Sequence, residues 1–281
     1  MGGIRLGISV DAWRTGSKSF EYALDEAARL GYQDVELCGT NGEELLCELG
    51  FMPYINVKED PVAAMEQVHS RGLRASNLTV GFSLMGPKAH RSLDFVMNGI
   101  RFAAEAGIPL VNTYEGHTRT PGAAEHETIA EIIHNAKLLA AYGQLRGVLV
   151  TLEPHGPYST KLNLLRRIVE GVGSKWFGVN LDTGNTYIAG GDPVEFLETL
   201  GDHVKMFHIK DVAPELSEAE RGASTGIAAS VVPVGGGVNA GNIKKCIGLL
   251  KKRRWSGTLI VETEGSDLAQ KSIKWLKKAL R

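Results

Sequence analysis

With 281 residues, 43% hydrophobic and 22% charged, and a net charge of −1, the chain has the make-up of a soluble globular protein with room for one large barrel or two ordinary domains. The near-neutral balance offers no basic face for nucleic acid, and no apolar run approaches the roughly 20 residues of a membrane span, so neither nucleic acid nor membrane is an expected partner. The start, MGGIRLGISV, lacks signal-peptide features, and Leu6 stands where a myristoylation signal carries Ser or Thr. With three cysteines (Cys38, Cys47, Cys246) free of metal-type spacing, this predicts a cytoplasmic protein with reduced packing thiols.

In chain order, residues 4–10 read as a first strand that opens out at Asp11, Ala12 and Trp13. Residues 17–30 follow with helical period, Phe20, Leu24, Ala27 and Ala28 making the apolar face and Gly31 the C-cap. A second strand is predicted over 33–37, then an irregular stretch, a helix near 61–71 and a third strand over 74–80. The triplet Asn77-Leu78-Thr79 lies inside that strand and is read as a chance glycosylation match. A helix over 88–106 ends at Gly107. A fourth strand (110–114), a polar loop, a helix (125–142) and a fifth strand (148–153) come next. Then follow a helix (161–172), a sixth strand (177–181), a short helix opened by Pro193, a seventh strand (204–209), a long stretch without clear period (211–237), a helix (239–252), an eighth strand (258–263) and a closing helix (267–280).

Strands alternating with helices mean βαβ units and a parallel sheet. Eight such units in this length predict one α/β domain over 1–281, a closed (β/α)8 TIM barrel, with 211–237 as a loop or lid at its mouth. The alternative open, doubly wound sheet needs a Gly-rich phosphate turn after the first strand, and SVDAWRTG supplies none. The run Gly235-Gly236-Gly237-Val238-Asn239-Ala240 fits a dinucleotide fingerprint only formally. It does not directly follow a strand, so it reads as a phosphate-binding or backbone-positioning turn before a helix.

The chemistry is written at strand ends. VLVTLEPH, GVNLDTGN, VKMFHIKD and TLIVETEG are apolar runs that deliver Glu153, Asp182, His208 and Glu262 at the ends of strands five to eight. In a (β/α)8 barrel these are neighbouring staves whose C-terminal ends surround the active site. Each residue alone reads as an ordinary polar strand end, but four in succession read as a metal site. Three carboxylates and one imidazole suit a single divalent ion, Mn²⁺ foremost, with Mg²⁺, Co²⁺, Fe²⁺ or Zn²⁺ as alternatives. Two remaining octahedral positions would take the adjacent oxygens of a hydroxy-ketone, with one or both of Glu153 and Glu262 moving protons on the neighbouring carbon through an enediolate.

The stretches LEPHG, GVNLDTGNTYIAGGDP, MFHIKD and IVETEG resemble the sugar phosphate isomerase/epimerase group of xylose-isomerase-like TIM barrels, which includes ketose 3-epimerases, inosose dehydratases and, more distantly, endonuclease IV. The resemblance is strongest over 148–264. It implies a metal held by Glu153, Asp182, His208 and Glu262, with Glu153 and Glu262 as the acid/base pair, a sugar or keto-sugar substrate, and a homodimer or homotetramer. The chain departs from the ketose 3-epimerase pattern at Asn185, where that pattern has His, and at Pro214, where it has Arg. Asn185 and a third strand without histidine also depart from endonuclease IV.

Six further residues are substrate-binding candidates. His155, on the same side of the strand as Glu153, is a substrate ligand or base, or else orders Glu153. Asn185 stands at the departing position. Lys210 holds a substrate oxygen or pairs with a carboxylate. Glu36 binds a sugar hydroxyl or pairs with an Arg. Trp13 stacks on a sugar ring or edges the core, and His117 reaches the mouth or stays solvated. His69, His90, His126, His134 and His203 are assigned no chemistry. The first functional expectation is a metal-dependent isomerase or epimerase. The second is a lyase sharing the enolising step, either an inosose dehydratase or a cleaver of 3-keto-glycosides and C-glycosides. The third is a sugar-binding subunit without catalysis.

Overall fold

The computed structural model describes residues 3–16, 18–42, 52–81, 83–222 and 225–281; Cys47 lies outside them. Its strands are β1 (Ile4–Ser9), β2 (Asp34–Thr40), β3 (Ile55–Asn56), β4 (Arg74–Thr79), β5 (Leu110–Tyr114), β6 (Leu149–Glu153), β7 (Phe177–Asp182), β8 (Val204–Ile209) and β9 (Gly257–Val261). Its helices are α1 (Phe20–Leu30), α2 (Pro61–His69), α3 (Ala89–Ala106), α4 (Glu125–Arg146), α5 (Leu162–Val172), α6 (Thr183–Ile188), α7 (Pro193–Leu200), α8 (Pro214–Glu220), α9 (Ala240–Lys252) and α10 (Gly265–Ala279). Every strand pairing is parallel. β1 pairs with both β2 and β9, so eight strands close into a barrel, and the two-residue β3 adds to β2 outside the ring.

The strands are buried on both faces because helices cover the outside, which is why they read as continuous apolar runs. α1 shows the local logic. Ser19 caps it by accepting the Tyr22 N–H, and Phe20, Ala23, Leu24, Ala27 and Leu30 face the barrel. Gly31, at φ 82°, stops it in a left-handed turn that a side chain would strain, and Gly107, at φ 71°, does the same for α3. At the N-terminal end of the barrel, buried Asp34 accepts from Arg5 Nε at 2.7 Å, Arg74 Nε at 2.9 Å and Thr258 Oγ1 at 2.5 Å, tying β1, β2, β4 and β9 together. Cys38 and Cys246 are buried free thiols. Among the described residues, no helix is long and apolar enough to cross a membrane.

The observed elements differ from expectation in three places. Val10–Gly16 winds as a 3₁₀ turn before α1 begins at Phe20. TGNTYI, given no element from the sequence, is α6. The stretch 211–237 is not structureless, since it contains α8 and a Gly-rich turn fixed by Asp211.

Candidate metal centre and active-site cavity

The four strand-end residues converge. Glu153, Asp182, His208 and Glu262 each present one ligand atom, and these atoms all lie within 4.8 Å of one another. Ligands at about 2.0–2.4 Å from one ion stand no farther apart than about twice that distance, so the spacing fits a single cation. Asp182 pairs with His208 in register across β7 and β8. Glu262, just past β9, is fixed by its N–H donated to the Ile209 carbonyl at 3.1 Å. Asp182 divides its carboxylate. Oδ1 caps α6, accepting from the N–H groups of Gly184 at 2.7 Å and Asn185 at 2.9 Å, while Oδ2 is buried with no hydrogen bond. His208 Nδ1 is likewise buried without a hydrogen-bond partner, at 3.3 Å from Glu153 Oε2 and 3.0 Å from Glu262 Oε1. His208 Nδ1, orphaned among hard oxygen donors, and Asp182 Oδ2, paired only with the Lys210 ammonium at 3.0 Å, fit a divalent ion.

A polar layer beneath orients these groups. Glu36 Oε2 meets His208 Nε2 at 2.7 Å and also accepts from Asn77 Nδ2 at 2.5 Å and Thr79 Oγ1 at 2.9 Å. A carboxylate only accepts, so His208 donates through Nε2 and turns Nδ1 toward the cluster. Glu153 accepts from Asn112 Nδ2 at 2.8 Å and Asn180 Nδ2 at 3.4 Å on one oxygen, and from Asn185 Nδ2 at 2.9 Å on the other. Lys210 Nζ lies 3.0 Å from Asp182 Oδ2, 2.5 Å from Glu262 Oε2 and 3.1 Å from Asn185 Oδ1.

Burial pushes every carboxylate of the cluster upward. At Glu153 burial is the largest single influence, but the charge and hydrogen bond of His208 together with the charges of His155 and Lys210 outweigh it and draw it down to about 2; at Glu262 the charges of His208 and then Lys210 lower it too. Asp182 stays up at about 7, because burial outweighs Lys210. Burial lowers His208, but Glu262, Glu36 and Glu153 outweigh it and hold the ring well above its usual range. The two carboxylates that flank His208 are therefore held ionised.

A family profile described as xylose isomerase-like TIM barrel matches residues 24–279. The chain belongs to the xylose isomerase-like TIM barrel family. Solved structures share the fold over nearly the whole chain. A xylose isomerase domain protein from Planctomyces limnophilus is 19% identical with a TM-score of 0.76, covering 99% of this chain and 97% of its own. The D-allulose 3-epimerase of a Methylomonas species is 15% identical with a TM-score of 0.72, covering 100% and 99%. The probable 3-DHS dehydratase involved in petrobactin synthesis in Bacillus anthracis is 16% identical with a TM-score of 0.71, covering 97% and 98%. No curated protein sequence matches the chain.

In this xylose isomerase-like barrel, a cavity of about 230 Å³ opens over the cluster. Its wall includes Glu36, Glu153, His155, His208, Lys210 and Glu262, as well as Asp11, Arg14, Tyr54 and Glu264. Ile227, Ala228 and Ser230 bring the 225–230 stretch against the mouth. His155 stacks on Tyr114 at 4.8 Å between ring centroids, and burial lowers it to about 4, so it is neutral at pH 7.

Four of the substrate-binding candidates take other places or partners than a substrate contact requires, Trp13 and His117 following the core-edge and solvated alternatives. Glu36 lines the cavity, but its partners are His208, Asn77 and Thr79 rather than an Arg. Trp13 is 3% exposed and off the cavity wall, because the 3₁₀ turn rolls it into the core, where its indole N–H is donated to Ser266 Oγ at 3.0 Å. Asn185 is fully buried behind Glu153 and Lys210 and does not line the cavity. His117 is exposed and off the wall too, stacked on Tyr114 and tilted against His155.

The Gly235–Asn239 turn is backbone-positioning. The N–H groups of Gly235, Gly237 and Asn239 go to the Asp211 carboxylate and those of Gly236 and Val238 to the Pro233 and Val212 carbonyls, which leaves none of those donors for a phosphate. Sequence reasoning missed Asp11, Arg14, Tyr54, Asn112, Asn180 and Glu115. The signal for Asp11 and Arg14 was present, since DAWR directly follows a barrel strand.

Proposed function

We propose that this chain is a metal-dependent isomerase or epimerase of a sugar or keto-sugar, moving a proton on the carbon next to a carbonyl. The observation that carries the reading is the pair Glu153 and Glu262, flanking His208 Nδ1 at 3.3 and 3.0 Å in the wall of one cavity. Glu153, Asp182, His208 and Glu262 would hold one divalent ion, Mn²⁺ first among those to try. When bound, the ion supplies Lewis-acid polarisation of a substrate carbonyl.

The chain's own residues would do the rest. One of Glu153 and Glu262 accepts the proton from the α-carbon and, in isomerisation, returns that same proton to the neighbouring carbon of the enediolate; in epimerisation the other, after taking a proton from water, delivers it to the opposite face while the first releases its own to water. Asn185 and Asn112 hold Glu153 in place by donating to its two oxygens. Lys210, donating to Glu262 and Asn185, keeps Glu262 ionised and offers a positive charge to a developing oxyanion. His155 and Tyr114 form an aromatic wall against a sugar face. The fold likenesses to a D-allulose 3-epimerase and an L-ribulose 3-epimerase agree with this reading.

The second reading is a lyase that shares the first proton abstraction. It draws on Asn185, whose amide is consumed by Glu153, Lys210 and Ala228 and so stays away from substrate, and on the fold likeness to a probable dehydratase. One experiment separates the readings. Mn²⁺-loaded protein is incubated in D₂O with ketohexoses, inososes and 3-keto-glucosides and followed by NMR and mass spectrometry. Deuterium at the α-carbon of an intact skeleton, lost in Glu153→Gln and Glu262→Gln, is the expected result. Loss of water or an aglycone selects the lyase. No exchange with any substrate at full metal occupancy overturns both.

A further inference from the structure

We propose that Asp11, Arg14 and Tyr54 form a polyol subsite that holds the hydroxyl chain of one uncharged sugar. This inference rests on the reading that the cavity takes a sugar, and it narrows the substrate class. The three residues line the same cavity as the ligand cluster, but they come from the side of the mouth that supplies no ligand: the 3₁₀ turn after β1 and the segment before β3. Asp11 Oδ2 accepts from Arg14 Nη1 at 2.6 Å, its Oδ1 accepts from the Tyr54 hydroxyl, and its backbone N–H is tied to Ser9 Oγ at 3.3 Å. The side chains of Arg14 and Asp11 are 36% and 25% exposed, so they are held in place yet reachable from the cavity.

The chemistry of this set selects hydroxyls. A carboxylate offers about four acceptor sites and a guanidinium five donors, so Asp11 and Arg14 keep unused acceptors and donors side by side after pairing. A hydroxyl both donates and accepts, and two neighbouring hydroxyls can do both at once against such a pair. A phosphate or carboxylate only accepts, so it would meet Arg14 already neutralised by Asp11, with Glu264 in the same wall.

The wider charge balance points the same way. The wall carries the carboxylates of Asp11, Glu36, Glu153, Glu262 and Glu264, with Asp182 behind, against Arg14, Lys210 and two imidazoles. Even with both imidazoles protonated and a divalent ion bound, that set has no net positive charge to attract an anion. The cavity, about 230 Å³, falls below the roughly 300 Å³ at which pockets for drug-sized ligands begin, which suits a single sugar without an aglycone.

The test is calorimetric binding to the Mn²⁺-loaded protein of three probes: a ketohexose, its 6-phosphate, and the three-carbon dihydroxyacetone. The ketohexose is expected to bind at least about tenfold more tightly than its phosphate. Asp11→Asn and Arg14→Gln should each weaken the ketohexose about tenfold and leave dihydroxyacetone within about twofold. Tyr54→Phe, which removes one hydroxyl and no charge, should weaken the ketohexose about threefold with an unchanged melting curve, guarding against misfolded variants. Equal or tighter binding of the phosphate, equal loss on both neutral probes, or no loss in any variant overturns the subsite. Length-dependent binding without α-deuterium exchange upholds the subsite and sinks the isomerase reading, while exchange without length dependence does the reverse.

Discussion

Glu36 and His208, 172 residues apart in sequence, meet inside the barrel with Oε2 and Nε2 at 2.7 Å. The contact fixes which imidazole nitrogen faces the cluster, because an ionised carboxylate leaves Nε2 only the role of donor. Glu36→Gln weakens that control, since an amide can either donate or accept. The expected outcome is a fall of about 10–100-fold in Mn²⁺ affinity by isothermal titration, with the fold retained by circular dichroism. Unchanged affinity would mean that His208 is oriented by packing alone.

Asp211 organises the second half of the mouth. Its carboxylate accepts from the backbone N–H groups of Val212 and Asn239 at 2.9 Å on Oδ1, and of Gly235 at 2.9 Å and Gly237 at 3.0 Å on Oδ2. A Cβ at Gly237 would stand 2.2 Å from the Val212 carbonyl, so the turn closes only around glycine there. Asp211→Asn replaces one acceptor with a donor and strands two N–H groups. The loss should be about 2–4 kcal/mol by urea unfolding, with faster proteolysis within 225–238. A loss below about 0.5 kcal/mol would show that the turn holds itself.

The convergence of Glu153, Asp182, His208 and Glu262 was legible in sequence because a charge ending a buried apolar strand demands a partner, and the barrel's geometry gathers neighbouring strand ends. His155 and Lys210 followed by strand alternation and do line the cavity. What stayed hidden depended on rotation and on cross-barrel distance. Trp13 after a strand reads the same whether it faces mouth or core, and only the 3₁₀ turn decides it. Glu36 reads as a lone acid on β2, and its partner lies six strands further along the chain. α6 was invisible because Gly, Asn and Thr are poor helix formers, and the cap that starts it is Asp182, already assigned to the cluster. Asn112 and Asn180 look like interruptions in apolar strands until Glu153 is placed above them.

Glu115 gives stability a pH dependence. It is fully buried in the loop after β5, and burial pushes it up to about 7 against the N–H groups of Ser159 and Tyr158 that it accepts. Its ordinary value is 4.5, so between pH 4.5 and 7 the folded chain binds more protons here than the unfolded one. Stability from this group is therefore full at low pH and is lost as pH rises through that window, about 3 kcal/mol in all. Glu115→Gln lacks the slope. Urea midpoints at pH 5, 6, 7 and 8 should show wild type losing ground to the variant as pH rises. Parallel profiles would mean that the three N–H contacts compensate for burial.

Lys210 carries the last expectation. Its ammonium lies between Asp182 Oδ2 and Glu262 Oε2, carboxylate oxygens of two of the four residues that could hold a cation. Lys210→Met keeps the bulk and removes the charge, which leaves those carboxylates to repel one another with His208 alone between them. In EDTA the variant should lose about 3–5 kcal/mol, the usual cost of stripping one partner from a buried charge pair. Mn²⁺ at about 100 times its dissociation constant should raise the wild type by about 2.7 kcal/mol. The same ion should raise the variant by more, because it restores positive charge to the same oxygens. The gap between the two proteins should thus narrow on adding Mn²⁺, read from chemical denaturation with and without the metal. A gap of equal size in both conditions would mean that Lys210 serves packing or substrate rather than the charge balance of the cluster.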